Sequence, residues 1–406
     1  MSDKLRIGII REGKVPPDSR VAFPPKIAAQ AAQLDGVMVK VQPSSGRCFP
    51  DSMYDDLGVT LDENLSDCDV LIGVKEVPIP LLVPNKTYFF FSHTHKKQIY
   101  NRDLLRAVLK KNIRLIDYEL LTDDAGSRLI AFGRFAGMVG AHHAMRAWGI
   151  RTGAFDLPQM NTFADYDAAK SAYAKTNFGD VRIVSTGEGR VGMGSVEVLR
   201  DAGFKELDND EFLQGKSSGP VFTQVGVKRY VRRKDSKSFI KKEFYDHPEA
   251  FESAFLPFTK VADVMIQGIF WDNKAPAMFS VNQMAETDFM IKVIADVTCD
   301  IAPVTSIPST LKASTIADPY FGFNPSTGRE IDAWADNGIT MMTVDNLPNE
   351  MPRDASKSFG STFAKVILPE LIRDQSSILD RATIANQGNL TANYSYLKPF
   401  VDGILG

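Results

Sequence analysis

The run VRIVST is followed at once by Gly187-Glu188-Gly189-Arg190-Val191-Gly192. Glycine at the first, third and sixth places suits a chain that turns sharply, lets backbone N–H groups approach a pyrophosphate, and packs a helix closely on a strand. The next helix, read from Ser195 to Asp201, would point its positive dipole end at those phosphates. The same fingerprint asks for an acid about 20 residues further on. Asp208 is the expected ribose partner, with Asp210 and Glu211 as competitors. A carboxylate there accepts from the ribose 2′-hydroxyl and repels a 2′-phosphate, so NAD is the expected cofactor. The basic run Lys228, Arg229, Arg232, Arg233 and Lys234 keeps NADP as the alternative; its plainer reading is a solvated edge.

A second cluster has no glycine. The apolar run VLIGV ends in Lys75-Glu76, and YFFF ends in Ser92-His93-Thr94-His95-Lys96-Lys97-Gln98. Parallel sheets gather chemistry at the carboxyl ends of their strands. A crowded lysine and a histidine brought together there exchange protons near neutral pH. Lys14, Arg20 and Lys96 suit a substrate with several carboxylates. The plainer readings are a solvated strand-end lysine and a core histidine. The i, i+2 spacing of His93 and His95 places both on one strand face, but no third ligand is near in sequence, so no metal site is expected. His142 and His143 read as structural, and no nucleophile elbow is present.

Such residues need a scaffold. Apolar runs at Leu5–Ile10, Val37–Val41, Val70–Val74, Tyr88–Phe91 and Ile113–Tyr118 alternate with helical stretches at Pro25–Leu34 and Asn101–Lys111, the latter with Asn101 as its cap. Met138–Trp148 reads as a linking helix and Thr152–Asn177 as irregular. A second series runs through Val181–Thr186, Val264–Phe270, Ile291–Val297 and Ile339–Val344. A last helix, Ser356–Ile372, buries Phe359, Phe363, Val366, Ile367 and Leu371. The pattern predicts an α/β protein of two Rossmann-like domains with parallel sheets and an interdomain active-site cleft. Residues 1–140 with 351–406 form the expected catalytic domain and 141–350 the nucleotide domain.

Composition narrows the class. The 406 residues exceed one ordinary core, and the net charge of −3 provides no field for nucleic acid or anionic lipid. The cysteines Cys48, Cys68 and Cys299 make neither a disulfide framework nor a thiolate metal site. No signal peptide and no membrane span are read, so a cytoplasmic protein is expected, with homo-oligomerisation left open.

With these motifs on the page, the chain resembles lysine-forming saccharopine dehydrogenases, and above all the lysine–2-oxoglutarate reductase half of the bifunctional enzyme of lysine catabolism. The matching stretches are LIGVKEVP, NKTYFFFSHTHKKQ, NIRLIDYELLTDDAGSRLIAFGRFAG, YDHPEAFESAFLPFTKVADVMIQGIFWDN and TVDNLPNEMPRDAS. The resemblance implies a small-molecule amino-acid substrate, with hydride transfer from saccharopine to NAD(P) and release of lysine and 2-oxoglutarate. It carries the proton-accepting lysine onto Lys75 and the acid–base histidine onto His93. Substrate contacts fall on Arg20, Gln98 and Phe132, cationic neighbours on Lys14 and Lys96, and flanking carboxylates on Glu76 and Glu119. Cofactor contacts fall on Gly187, Gly189, Arg190, Gly192, Phe270, Val297 and Val344-Asp345-Asn346-Leu347; Asp208 aligns only across a gap. A cofactor-binding arginine of the yeast-type enzymes falls on Ser127, beside Arg128, and their cysteine pair on Val191 and Gly268. The rivals are an alanine dehydrogenase-like enzyme and a catalytically silent nucleotide-binding protein on the same fold.

Overall fold

Runs such as VLI, TYFF and RIVST are apolar on both faces, as strands covered by helices on both sides must be. The computed structural model describes residues 4–216, 218–373 and 375–404. Its strands are, in chain order, β1 (Leu5–Ile9), β2 (Val37–Val41), β3 (Thr60–Leu61), β4 (Val70–Ile72), β5 (Thr87–Phe90), β6 (Arg114–Asp117), β7 (Arg182–Thr186), β8 (Lys205–Glu206), β9 (Val221–Val225), β10 (Val231–Arg233), β11 (Phe251–Ser253), β12 (Val264–Gln267), β13 (Val293–Asp296), β14 (Tyr320–Asn324), β15 (Arg329–Ile331), β16 (Ile339–Met342), β17 (Thr383–Asn386) and β18 (Asn389–Leu390). Two compact units result: Met1–Phe132 with Pro352–Gly406, and Gly133–Met351.

The first unit's sheet has the order β18-β17-β6-β5-β4-β1-β2-β3, the second's β15-β14-β16-β13-β12-β7-β9-β8. Along these orders, the strands β6-β5-β4-β1-β2-β3 and β16-β13-β12-β7-β9-β8 run parallel, while one edge of each is antiparallel, β17 against β6 and β14 against β16; β10 and β11 form a separate antiparallel pair. The parallel sheets expected are present, each with an antiparallel edge added. Both edges close by hairpins, β17–β18 through Gln387-Gly388, which both take positive φ as a two-residue hairpin turn demands.

Chain order and sheet order agree in the first unit, where β2 lies beside β1. They part in the second, where β9 rather than β8 lies beside β7. The switch points, where neighbouring crossovers leave in opposite directions, are therefore β1/β4 and β7/β12.

The helices differ from expectation at their ends. Gly133–Thr152 is a single helix, so the expected boundary at 140/141 falls inside it. The helix after the glycine motif runs Arg190–Asp201 and starts five residues early; it packs closely on Gly133–Thr152 through glycines of both helices, since a methyl group on Gly137 would sit 1.8 Å from Val191 O and one on Gly194 2.0 Å from Arg134 O. Asn101 closes a preceding 3₁₀ turn and caps nothing; the helix is Arg102–Lys110. The stretch 152–177 contains the helix Tyr166–Tyr173, capped by Asp165. The segment Pro352–Ile372 is helical but passes through a π turn at Phe363–Ile367. Pro369 follows; it has no N–H and its ring crowds the carbonyl of the turn before, so the ladder loosens there. Phe359 and Phe363 pack edge-on against Tyr118, and Phe363 also against Phe23 and Phe89, all within the first unit. Among the described residues no helix is long and apolar enough to cross a membrane.

Candidate active site and nucleotide site

In the first unit the loops leaving β1, β4, β5 and β6 converge at the switch point. Glu12 follows β1 and turns its carboxylate to the next strand, accepting from the N–H groups of Val74 (2.6 Å) and Lys75 (2.8 Å). The backbone carrying Lys75 is thus held by a side chain beyond the end of β4. Burial pushes Glu12 up to about 7, against the pull of those two bonds. Burial also lowers Lys75, and the charges of Arg20 and Lys14 lower it further. Among the described residues no carboxylate forms a salt bridge with Lys75.

Its neighbours are paired. Lys14 Nζ lies 2.9 Å from Glu76, and the exposed Lys96 and Arg128 lie 2.8 and 3.4 Å from Glu119. Arg20 is buried, bound to both oxygens of Asp18 (2.9 and 2.5 Å), with its guanidinium 4.3 Å from the centre of the Phe132 ring. The expected flanking carboxylates Glu76 and Glu119 pair with Lys14 and Lys96, while Asp18, which the sequence reading left out, neutralises Arg20. The reason is energetic, since a guanidinium enclosed to this degree requires a counter-charge.

His93 sits at positive φ (53°), a strained conformation for this residue type. Asp117 compensates by accepting from Ser92 N (2.9 Å), Ser92 Oγ (2.6 Å) and His93 N (3.1 Å). The His93 ring stacks on Phe91, and its Nδ1 lies 2.8 Å from Glu76. Burial works against the Glu76 charge, but the bonds to His93 and Lys14 outweigh it and hold the group at about 2. Glu76 therefore orients a base and a cation at once. Gln98 is exposed and accepts from Tyr100 (2.7 Å).

The two histidines do not share a strand face, as the spacing predicted, because a 3₁₀ turn Thr94–Lys96 begins between them. His95 faces Asp117 (3.8 Å) and Glu119 (3.5 Å), a trio with the donor types of a metal site. Those carboxylates are occupied: Asp117 holds the Ser92 turn, and the Lys96 ammonium on Glu119 would repel a cation. The trio reads as part of the ion-pair network.

In the second unit the three glycines of the loop differ in what a side chain would meet. A Cβ on Gly187, whose φ is +93°, would lie 2.5 Å from Gly268 O, and one on Gly192 would lie 2.0 Å from Gly187 O. One on Gly189 would meet nothing within 4 Å. The first and third glycines are thus required by the protein itself, while the second faces open space, as a backbone that receives a pyrophosphate must. Arg190 opens the helix behind it. These residues fit a dinucleotide.

The remaining expected cofactor residues divide. Phe270 stands 82% exposed after β12. Val297 follows β13, with Cγ2 filling the space over Gly140. Val344 and Leu347 are buried, which leaves Asp345 and Asn346 as the reachable part of that loop. Asp208, the expected ribose partner, lies elsewhere in the sheet order than the fingerprint places it. Its carboxylate accepts from Glu211 N (2.8 Å) and caps the helix Asn209–Leu213, and it follows the edge strand β8 rather than the strand beside β7. Asp296, fully buried at the end of β13 and pushed up to about 6 by burial, was not foreseen; Thr298 and Thr310 bind it.

Residues 8–139 match the family model described as alanine dehydrogenase/PNT, N-terminal domain. The chain is 31% identical to the alpha-aminoadipic semialdehyde synthase of Arabidopsis thaliana over 88% of its own length and 38% of that protein, and 28% identical to the mitochondrial one of Mus musculus over 89% and 44%. It thus spans less than half of these relatives. It is 24% identical to the saccharopine dehydrogenase [NAD(+), L-lysine-forming] of Neurospora crassa over 87% of both chains. An L-alanine dehydrogenase structure superposes with TM-score 0.66 at 15% identity, covering 98% of this chain and 99% of that one. A transhydrogenase of Sinorhizobium meliloti gives 0.58 at 13%. The resemblance read from the motifs is borne out: the homologues carry the saccharopine dehydrogenase and semialdehyde synthase names, and the fold is that of alanine dehydrogenase.

Proposed function

We propose that this chain, a homologue of saccharopine dehydrogenases over 87% of its length, is an oxidoreductase that interconverts saccharopine with lysine and 2-oxoglutarate, with NAD as cofactor. The observation that carries the reading is the pairing of a lysine of lowered pKa, Lys75, with His93 fixed on Glu76 at the switch point of the first sheet. The bound nicotinamide supplies the hydride acceptor.

The chain's residues do the rest. The secondary amine of saccharopine is protonated near neutral pH and loses no hydride until it is deprotonated. Lys75, neutral over more of the pH range than a free lysine, takes that proton. His93, its Nδ1 held by Glu76, gives and takes protons at Nε2 during water addition and collapse. The substrate's carboxylates meet Lys14, Lys96 and Arg128, whose heads keep solvent-facing edges. Arg20 is sealed on Asp18, so it acts through its field on Lys75 and by stacking on Phe132.

A turnover assay with saccharopine, with alanine, and with lysine plus 2-oxoglutarate, each with NAD and NADP, tests the reading. Saccharopine oxidation is expected. Alanine oxidation alone would transfer the reading to the alanine dehydrogenases, and no turnover with retained nucleotide binding would make the chain a silent binder.

A further inference from the structure

The usual doubly wound order sets the second strand beside the first, and the acid at its carboxyl end meets the adenosine ribose. In the second sheet here that neighbour is β9, and β8 is the edge. Asp208 follows β8, one strand spacing of about 4.8 Å too far out, and its carboxylate is spent on a helix cap. The carboxyl end of β9 occupies the position instead: Gly187 N donates to Val225 O at 3.0 Å. The next residue, Gly226, has no side chain to offer a ribose.

The space above Gly226 is filled from elsewhere. A methyl group on Gly226 would lie 2.5 Å from Cδ and Oε2 of Glu188. The Glu188 carboxylate, coming from the glycine loop, thus lies over the end of β9, where an acid belonging to that strand would stand. No salt bridge to Glu188 forms among the described residues, so both oxygens remain available as acceptors. A cavity of about 210 Å³ opens beside it, lined by Gly187, Tyr230, Lys241, Tyr245 and Phe270. Its rings suit an adenine.

We infer that Glu188 replaces the missing strand-end acid: it accepts from the ribose hydroxyls of the adenosine and makes the chain selective for NAD by repelling a 2′-phosphate. The inference rests on the nucleotide reading of the glycine loop, not on the identity of the substrate. The arginines of the basic run downstream do not oppose it, because Arg229 is bound to Asp210, Arg232 to Glu252 and Arg233 to Asp235 and Glu243. Lys241, which lines the cavity, and the exposed Lys228 are cations open to a 2′-phosphate.

Fluorescence titration of the full chain with NADH and with NADPH tests this, in the wild type and in Glu188→Ser, Glu188→Gln, Lys241→Ala and Asp208→Ala. The wild type is expected to bind NADH more tightly by about ten-fold or more, the size of one hydrogen bond to a charged group. Both Glu188 variants should weaken NADH, strengthen NADPH and narrow that ratio by about ten-fold. Asp208→Ala should shift the unfolding midpoint and leave the ratio alone. Equal weakening of both nucleotides in Glu188→Ser, or an NADPH preference that Lys241→Ala abolishes, overturns the inference. Binding of neither nucleotide overturns it together with the cofactor half of the proposed function. Normal discrimination without saccharopine turnover sinks the substrate reading alone. Glu188 is exposed, and circular dichroism of each variant verifies that the fold is kept.

Discussion

Lys75 and His93 do different work, and substitution separates them. Lys75→Met and His93→Gln should each lower the maximal rate by about two orders of magnitude, typical for loss of a general acid or base. The pH profile distinguishes the roles. A base acts when unprotonated, so the rate should rise with pH through the lowered Lys75 pKa, and that limb should vanish in the methionine variant. Near-normal saccharopine turnover in both variants would reduce the cluster to a solvated rim. Glu12 gives a second prediction, about stability. Its folded pKa of about 7 lies above an unfolded value of about 4.3. Between those values the native state binds more protons than the unfolded one, so this group's contribution is full below about pH 4.3 and is lost as pH rises through 7. Urea unfolding at pH 5 and pH 8 should therefore show a decline in the wild type that Glu12→Gln reduces; equal declines would mean that Glu12 titrates normally. Lys75, Glu76 and His93 were legible because they end apolar runs. Glu12 was not, since its partners lie across the sheet, and only the strand order brings residue 12 to residues 74 and 75.

At the scale of elements, parallel strands were easiest to read, because burial on both faces makes them continuous apolar runs. Several strands missed are short or antiparallel: β8 has two residues, and β14, β15, β17 and β18 close sheet edges, where turn chemistry rather than hydrophobic periodicity decides; β9, parallel and beside β7, was missed as well, its apolar run being broken by Thr223 and Gln224. The glycine motif was legible, but the position of its acid was not, because spacing along the chain cannot reveal that β8 and β9 exchange places. The helices of the second unit carry two predictions. Asp208→Ala removes an N-cap and should cost about 1 kcal/mol. Gly137→Ala places a methyl group against Val191 O and should cost about 1–3 kcal/mol through forced separation of Gly133–Thr152 from Arg190–Asp201. Urea midpoints measure both; a Gly137 variant as stable as the wild type would mean that the two helices are not in backbone contact.

At the scale of the whole molecule, one architecture is used twice with different cargo. Each unit builds its own core, one around Tyr88, Leu105 and Leu115 and the other around Phe212, Phe255 and Met265. Each presents its chemistry at a switch point, carboxylates and amines in the first unit and bare backbone in the second. The difference lies in the segment after the first strand of each sheet. β1 leads into a charged loop, Arg11 to Arg20, and β7 into glycines. A ligand stabilises the segments that must open to release it, by RT ln(1 + [L]/Kd), about 2.7 kcal/mol at a hundred times Kd. NADH at that concentration should slow amide exchange in β7, β9, β12 and the loops after them by about 100-fold. The amides of β1, β4 and β5 should keep their ligand-free rates where they exchange by opening of the first unit alone. Exchange mass spectrometry with and without NADH reads both sets. Equal protection of both sets would show that the chain opens as one cooperative unit. No protection at Gly187–Gly192 would remove the dinucleotide from the glycine loop altogether.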